Sequence, residues 1–318
     1  MTTTGISGRP TRIAAALIAS AATVSLAACG SSSSAGSSNP LAGSSASAGG
    51  TIVIGSNNFA ESTLLADIYG EALKAKGLTV QYKPNIGSRE VSYGLMKNGS
   101  ITLMPEYNGN LLGYLDKTAT PTSSDDTDTQ LSAKLAPNLK VLNPAAAQDK
   151  DSLTVNSKTA AKYNLTADSS IADLQKIMGD LTLGGAPEFQ TRQQGLLGLK
   201  SDYGLTFKSF KALDAGGALT EAALKSDDIQ VGDIFTTDST ITADNWIVLK
   251  DPKNLFGFQN VIPLAQKTLP QNAVDALNAV SAKLDTATLL DLDTKIGAKG
   301  ADPMTVADDW LKTAGLSS

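Results

Sequence analysis

The 318-residue sequence contains no histidine and a single cysteine. The first absence removes every mechanism that needs an imidazole base or ligand, including Ser-His-Asp triads and His-bearing zinc sites. The second removes an internal disulfide and any multi-cysteine metal centre. Basic charge is also short: 26 Lys and Arg stand against 31 Asp and Glu, a net charge of −5, and no basic stripe runs along the chain. No nucleic-acid partner is expected from such a surface. A hydrophobic content of 42% is ordinary for a globular protein and argues against both wholesale disorder and a polytopic membrane protein. The length suits two domains with a real core.

The first residues read as an address. Arg9 and Arg12 precede a run of small and apolar residues, Ile13 to Ala28, with no acid before Cys29. That is the charged and apolar order of a secretory signal over 1–28. Its 16 apolar-region residues fall short of the roughly 20 that a membrane span needs. Leu26-Ala27-Ala28-Cys29 resembles the bacterial lipobox, which implies a lipidated Cys29 as the mature N-terminus. Residues 30–50 are Gly, Ser and Ala except for Asn39, Pro40 and Leu41. A coil of that composition has a reach of about 25 Å, so it would tether a folded domain near a membrane. Loss of 1–28 removes two arginines and no acid, taking the net charge from −5 to −7. A surface so charged does not itself adhere to anionic lipid, which leaves the lipid as the anchor.

Beyond residue 50, strand and helix patterns alternate. Thr51 to Gly55 is a short β run, and Leu64, Leu65, Ile68, Ala72 and Leu73 recur at helical spacing up to Gly77. Further strands are expected at 78–82, 101–104, 181–184, 207–213, 229–234 and 246–249. Helices are expected at 91–97, from Pro105–Gly109 to about 115, and at 270–284, 286–296 and 303–314. Such alternation predicts an α/β protein with largely parallel sheets, and two α/β lobes leave a cleft at the strand ends as the natural ligand site.

Several loops carry more specific information: Gly55-Ser-Asn-Asn-Phe-Ala-Glu61, Asn85-Ile-Gly-Ser-Arg-Glu90, Met104-Pro-Glu-Tyr-Asn-Gly109, Lys162-Tyr-Asn-Leu165, Gly185-Ala-Pro-Glu-Phe189 with Arg192, Gly195-Leu-Leu-Gly198 and Phe235-Thr-Thr-Asp238. In this order, over about 51–316, they resemble the substrate-binding lipoproteins of glycine betaine/choline-type ABC transporters. The resemblance implies the periplasmic-binding-protein type II fold, with two lobes joined by two hinge crossings. Lobe 1 would comprise 51–150 plus 253–318 and lobe 2 would comprise 151–252, with crossings near Asp149–Val155 and Lys250–Asn254. It also implies an extracytoplasmic protein that hands a quaternary ammonium compound or related amine to a permease driven by a cytosolic ATPase, with no cofactor.

The same resemblance nominates the site. A trimethylammonium has no N–H to donate, so aromatic faces are its best partners. Tyr107 stands where the family places one tyrosine of its cage, and Arg192 matches the family's carboxylate-binding arginine. Independently of any family, Arg89 and Arg192 are the only arginines after the leader, against 22 lysines. Each is therefore a candidate for forked recognition of a carboxylate, from the ligand or from the protein. For Arg89 the protein partner would be Glu90 or Glu106. Asn57, Asn58 and Asn110 fall at or beside polar contacts of the family, although turn and capping roles fit them equally well. Thr237 and Asp238 belong to the Phe235–Asp238 run.

Asp151, Asp244 and Gln259 or Asn260 occupy positions where further cage tyrosines are expected, while Phe256 and Phe258 lie nearby and could supply a ring. Acids in the cleft suit a cation with N–H donors, or a ligand with hydroxyls, better than a bare trimethylammonium. Two other classes remain open from residues alone. Glu188, Asp238 and Asp244 could do paired-carboxylate acid–base work. A diverged binder for another polar solute, or a ligand sensor, would show the same pattern. The runs Asp125-Asp126-Thr-Asp128 and Asp227-Asp228 lack a calcium-loop spacing and read as solvated loops or helix starts, so no metal site is expected.

Overall fold

The computed structural model describes residues 50–297 and 299–317. The expected leader, Cys29 and nearly all of the tether lie outside the described residues. Ten strands are present among them: β1 (Ile52–Gly55), β2 (Val80–Lys83), β3 (Leu103–Tyr107), β4 (Leu139–Val141), β5 (Asp151–Val155), β6 (Thr182–Gly185), β7 (Ser209–Ala212), β8 (Val231–Phe235), β9 (Ile247–Val248) and β10 (Val261–Gln266). They form two five-stranded sheets, in the orders β2-β1-β3-β10-β4 and β7-β6-β8-β5-β9. The first sheet takes its strands from both ends of the domain, and the second takes all of its strands from between them.

Both sheets are mixed rather than largely parallel. β1 runs parallel to β2 and β3, whereas β10 runs antiparallel to β3 and β4. β6 is likewise parallel to β7 and β8, and β5 is antiparallel to β8 and β9. The strand that arrives from the other sheet, β5 or β10, is the one that opposes its neighbours. The two connections lie side by side: Gln148 bridges Asn260, and the Asp149 N–H donates to the Gln259 carbonyl at 3.2 Å. Asp151–Val155, expected within a crossing, is strand β5, so the first connection ends at Lys150.

Helices cover both faces of each sheet. Around the first sheet, the helix Ala60–Lys74 packs Leu64, Leu65, Ile68 and Leu73 into a core shared with the C-terminal helices Gln271–Ser281, Thr286–Ile296 and Pro303–Ala314. On the opposite face, the helices Arg89–Lys97, Asn108–Leu115 and Ser124–Lys134 bury Met96, Leu111 and Leu131. The acidic run at 125–128 opens the last of these helices. Ser123 caps it by accepting from the Asp126 N–H, and Asp125 and Asp126 sit favourably in its first turn. Among the described residues, no group of three or more acidic or cysteine side chains is placed to hold a metal ion.

β10 escapes sequence reading for a specific reason. Its sequence Val-Ile-Pro-Leu-Ala-Gln contains Pro263, and a proline argues against a central strand. In the sheet, Pro263 lies directly opposite Pro105 of β3. The Asn108 N–H donates to the Asn260 carbonyl, which fixes the ladder's alternation and makes 105 and 263 a pair that exchanges no N–H bond. The two prolines therefore cost the β3–β10 ladder no hydrogen bond, since their N positions point away from each other.

Candidate ligand-binding cleft

The ends of β1, β3, β6 and β8 and the loops that follow them meet between the sheets around a narrow cleft, part of it open to solvent. From the first sheet come Asn57, Asn58, Phe59, Arg89, Tyr107 and Asn110; from the second come Glu188, Phe189, Arg192, Asp233 and Phe235; Asp149 and Asp151 stand where the chain crosses.

Tyr107, the last residue of β3, is buried, and its hydroxyl donates to Glu61 Oε1. Glu61 Oε2 accepts from Thr237 Oγ1 at 2.8 Å, which ties helix Ala60–Lys74 to the loop after β8. Burial, reinforced by Asp293, pushes the Glu61 carboxyl well above its usual range. Phe59 stacks obliquely between the two strand ends, with its ring centroid 6.0 Å from Tyr107 and 5.1 Å from Phe235. The aromatic lining is thus one tyrosine and three phenylalanines. Phe256 and Phe258 do not contribute to it. Phe256 is packed in the core of the second sheet, and Phe258 lies under the Lys150 ammonium, 5.8 Å from its ring centre.

Both arginines are engaged by protein carboxylates. Arg89 forks onto Glu106, with Nε 3.0 and 3.1 Å from the two oxygens and Nη2 2.8 Å from Oε2. This pair is buried on both sides. Arg192 reaches from the second lobe's side to Glu90, with Nε–Oε1 at 3.2 Å and Nη2–Oε2 at 3.1 Å, and lies 3.8 Å from Glu188. Burial opposes ionisation of Glu90, yet its bonds from Arg192 and Ser88 hold it down at about 2.

The polar candidates divide in the same way. Asn57 is buried, its side-chain oxygen accepting from Ser92 at 2.7 Å, while Asn58 is exposed at the rim. Asn110 donates to Asp151 Oδ2 at 2.8 Å and links across to Gln259, which is buried in the second connection. Asn260 also lies in that connection, hydrogen-bonded to Ser124 and to the Ala145 carbonyl. Asp238 accepts from the N–H and hydroxyl of Thr240, the first residue of the short helix Thr240–Ala243. Asp244 is not part of the cleft lining: its carboxylate is held by the Lys225 ammonium at 2.7 and 3.0 Å. The tip of helix Thr240–Ala243 carries it away from the position expected for a cage residue.

Among the lining residues that were not nominated are Phe59, Asp149 and Asp233. Phe59 lies in the Gly55–Glu61 loop, but its ring is not the tyrosine that the cage positions imply. Asp149 is buried, accepts from the Thr237 N–H at 3.2 Å, and is raised well above the usual carboxylate range by burial and by Glu61. Asp233 has a visible signal, a lone acid inside the apolar run Val231–Phe235. It is 3% exposed, and its Oδ1 has no hydrogen-bond partner among the described residues. Burial and then Asp151 push its pKa well up, with Arg192 opposing them. With each arginine already matched, Asp149, Asp151, Glu188 and Asp233 leave the lining acidic.

A model of the substrate-binding domain of ABC-type glycine betaine transport systems matches residues 50–313. The glycine betaine-binding protein YehZ of Escherichia coli is 27% identical, over 83% of this chain and 90% of that protein. The carnitine transport binding protein OpuCC of Listeria monocytogenes is 26% identical, over 82% and 86%. A crystal structure of a glycine betaine/carnitine/choline ABC transporter component superposes with a TM-score of 0.65 at 23% identity, covering 83% of this chain and 99% of the other, so the two share a fold. From its two mixed sheets, the cleft between them and a match that spans nearly all the described residues, the chain belongs to the family of substrate-binding domains of ABC-type glycine betaine transport systems.

Proposed function

We propose that this protein is the extracytoplasmic solute-binding component of an ABC uptake transporter and that it captures a small cationic or zwitterionic compound of the glycine betaine, choline or carnitine type. The observation that carries the reading is the composition of the cleft: ring faces from Phe59, Tyr107 and Phe235 beside carboxylates that outnumber the arginines. Ring faces attract an alkylated cation by about 0.5–2 kcal/mol each, and the surplus carboxyl groups offer it acceptor oxygens.

Lobe 1 (51–150 plus 253–318) and lobe 2 (151–252) close on the ligand about the paired connections at Gln148 and Asn260. The closed form then docks on a permease, and a cytosolic ATPase drives release. The protein does no covalent chemistry on its cargo. Its membrane attachment is a lipid on Cys29, a reading supported by the Leu26-Ala27-Ala28-Cys29 sequence.

Calorimetric titration with choline, carnitine and glycine betaine, with a simple dicarboxylate as the contrasting charge, tests the reading. Saturable binding of at least one cation and none of the dicarboxylate is expected. Binding of the dicarboxylate alone would contradict it. For the anchor, Cys29→Ser is expected to move the protein from the membrane fraction to the soluble fraction.

A further inference from the structure

Asp233 differs from Asp149 and Asp151, the other buried acids that line the cleft. Glu106, Glu90, Asp149, Asp151 and Glu61 each accept at least one hydrogen bond from a protein donor. Asp233 Oδ1 is sealed from solvent and has no donor among the described residues. The nearby cations do not supply one, because Arg89 is forked onto Glu106 and Arg192 onto Glu90. The neighbouring strand leaves room for it: a Cβ on Gly185 of β6 would stand 2.8 Å from the Asp233 Cβ. A buried carboxylate without a donor is a costly arrangement, and it persists where something else completes it.

We propose that Asp233 receives a hydrogen-bond donor from the cationic end of the ligand, so that the cleft prefers organic cations carrying an N–H or O–H close to the charge over fully alkylated ammonium ions without one. This rests on the solute-binding reading given above. A cation wrapped only by the rings of Phe59 and Phe235 would satisfy its methyl groups but leave Oδ1 dry and unpaired. One donor on the same cation fills that gap. The preference is therefore set by the carboxylate rather than by the number of rings.

Two matched pairs of compounds test this by calorimetry on the wild-type protein. N,N-dimethylglycine differs from glycine betaine by one N–H in place of a methyl. Choline differs from its methyl ether by one O–H. A hydrogen bond to a charged group corresponds to a preference of about tenfold or more, expected in at least one pair. The pair that shows it identifies the donor as nitrogen or oxygen. Asp233→Leu keeps the branched outline of the side chain and removes both oxygens, so the preference should fall to within about twofold; if that larger side chain does not allow folding, the isosteric Asp233→Asn should shrink it at least severalfold. Equal affinities within both pairs would overturn the role of Asp233 and leave the solute-binding reading intact. Persistence of the full preference in the variant would place the donor's partner elsewhere and also overturn it. Failure of every one of these cations to bind would overturn the solute-binding reading as well.

Discussion

The two sheets are built alike, and the strands that end at the cleft are treated differently. In each, a first strand runs parallel to two neighbours, and a returning strand opposes the third and fifth. β3 and β8 hold the same place in that order. Each carries one acid, and each ends on an aromatic residue that faces the cleft: Glu106 and Tyr107 in β3, Asp233 and Phe235 in β8. In the first lobe Arg89 neutralises the acid through a buried fork. In the second, Arg192 reaches across to Glu90 and leaves Asp233 Oδ1 without a partner among the described residues. Equivalent scaffolding thus produces one side that is electrostatically closed and one side that is left open. The first holds the shape of the cleft, and the second is free to choose what enters it.

The largest expected effect comes from breaking the closed side. Arg89→Met strands Glu106, which is 0% exposed, without its counter-charge. Removing one partner of a buried pair typically costs about 3–5 kcal/mol. Thermal unfolding should therefore show a fall of about 10 °C, at roughly 2–4 °C per kcal/mol for a domain of this size. The same operation on the open side has the opposite sign. Asp233→Leu removes an unsatisfied buried carboxyl and is expected to stabilise the ligand-free protein by about 1–3 kcal/mol. A fall in melting temperature for both variants would erase the contrast between the lobes.

Acidity sharpens the comparison next. Burial, with Asp149 beside it, raises Asp293 to about 7, and burial with Asp238 raises Glu221 to about 7. These carboxyls keep protons in the folded state that the unfolded chain releases near its ordinary carboxylate range. Their contribution to stability is full below that range and is lost as pH rises towards 7. Glu90, held at about 2, has the opposite sign: its contribution is present above an ordinary pKa of 4.5 and is lost as pH falls towards 2. The melting temperature should pass through a maximum near pH 5 and be a few degrees lower at pH 8. A curve that rises steadily to pH 8 would contradict the assignment of the buried acids.

The smallest effect is expected at the bridge between the lobes. Arg192 and Glu90 are part-exposed, so Arg192→Gln should change stability by no more than about 1 kcal/mol. Its consequence is conformational. The ligand-free variant should populate open forms more than the wild type, read as a longer distance between labels placed on the two lobes. That difference should fade in high salt, which screens the wild-type pair.

Much of the fold was legible in the sequence because it is local. The helices Thr286–Ile296 and Pro303–Ala314 fall where their patterns place them, and so does β1. What was not legible depends on distant partners. β10 is masked by Pro263, which only its pairing with Pro105 explains. The polarity of each sheet depends on where the chain crosses, and no single segment encodes that. The cleft follows the same division. Tyr107 and both arginines stood out from motif and rarity, yet the partners of Arg192 and Arg89 lie 102 and 17 residues away. Asp244 stood out by position and proved to belong to Lys225. Asp233 passed unnoticed because a lone acid in a strand gains meaning only once its surroundings are known to lack a donor.

A crystal structure of the protein with choline tests the account most directly. The account predicts the cation against the ring faces of Phe59 and Phe235 that border the cleft, its donor within hydrogen-bond distance of Asp233, and the Arg89–Glu106 fork undisturbed. Choline bound outside the cleft, or within it with Asp233 still unpartnered, would contradict the claim that the open side of the second lobe selects the ligand.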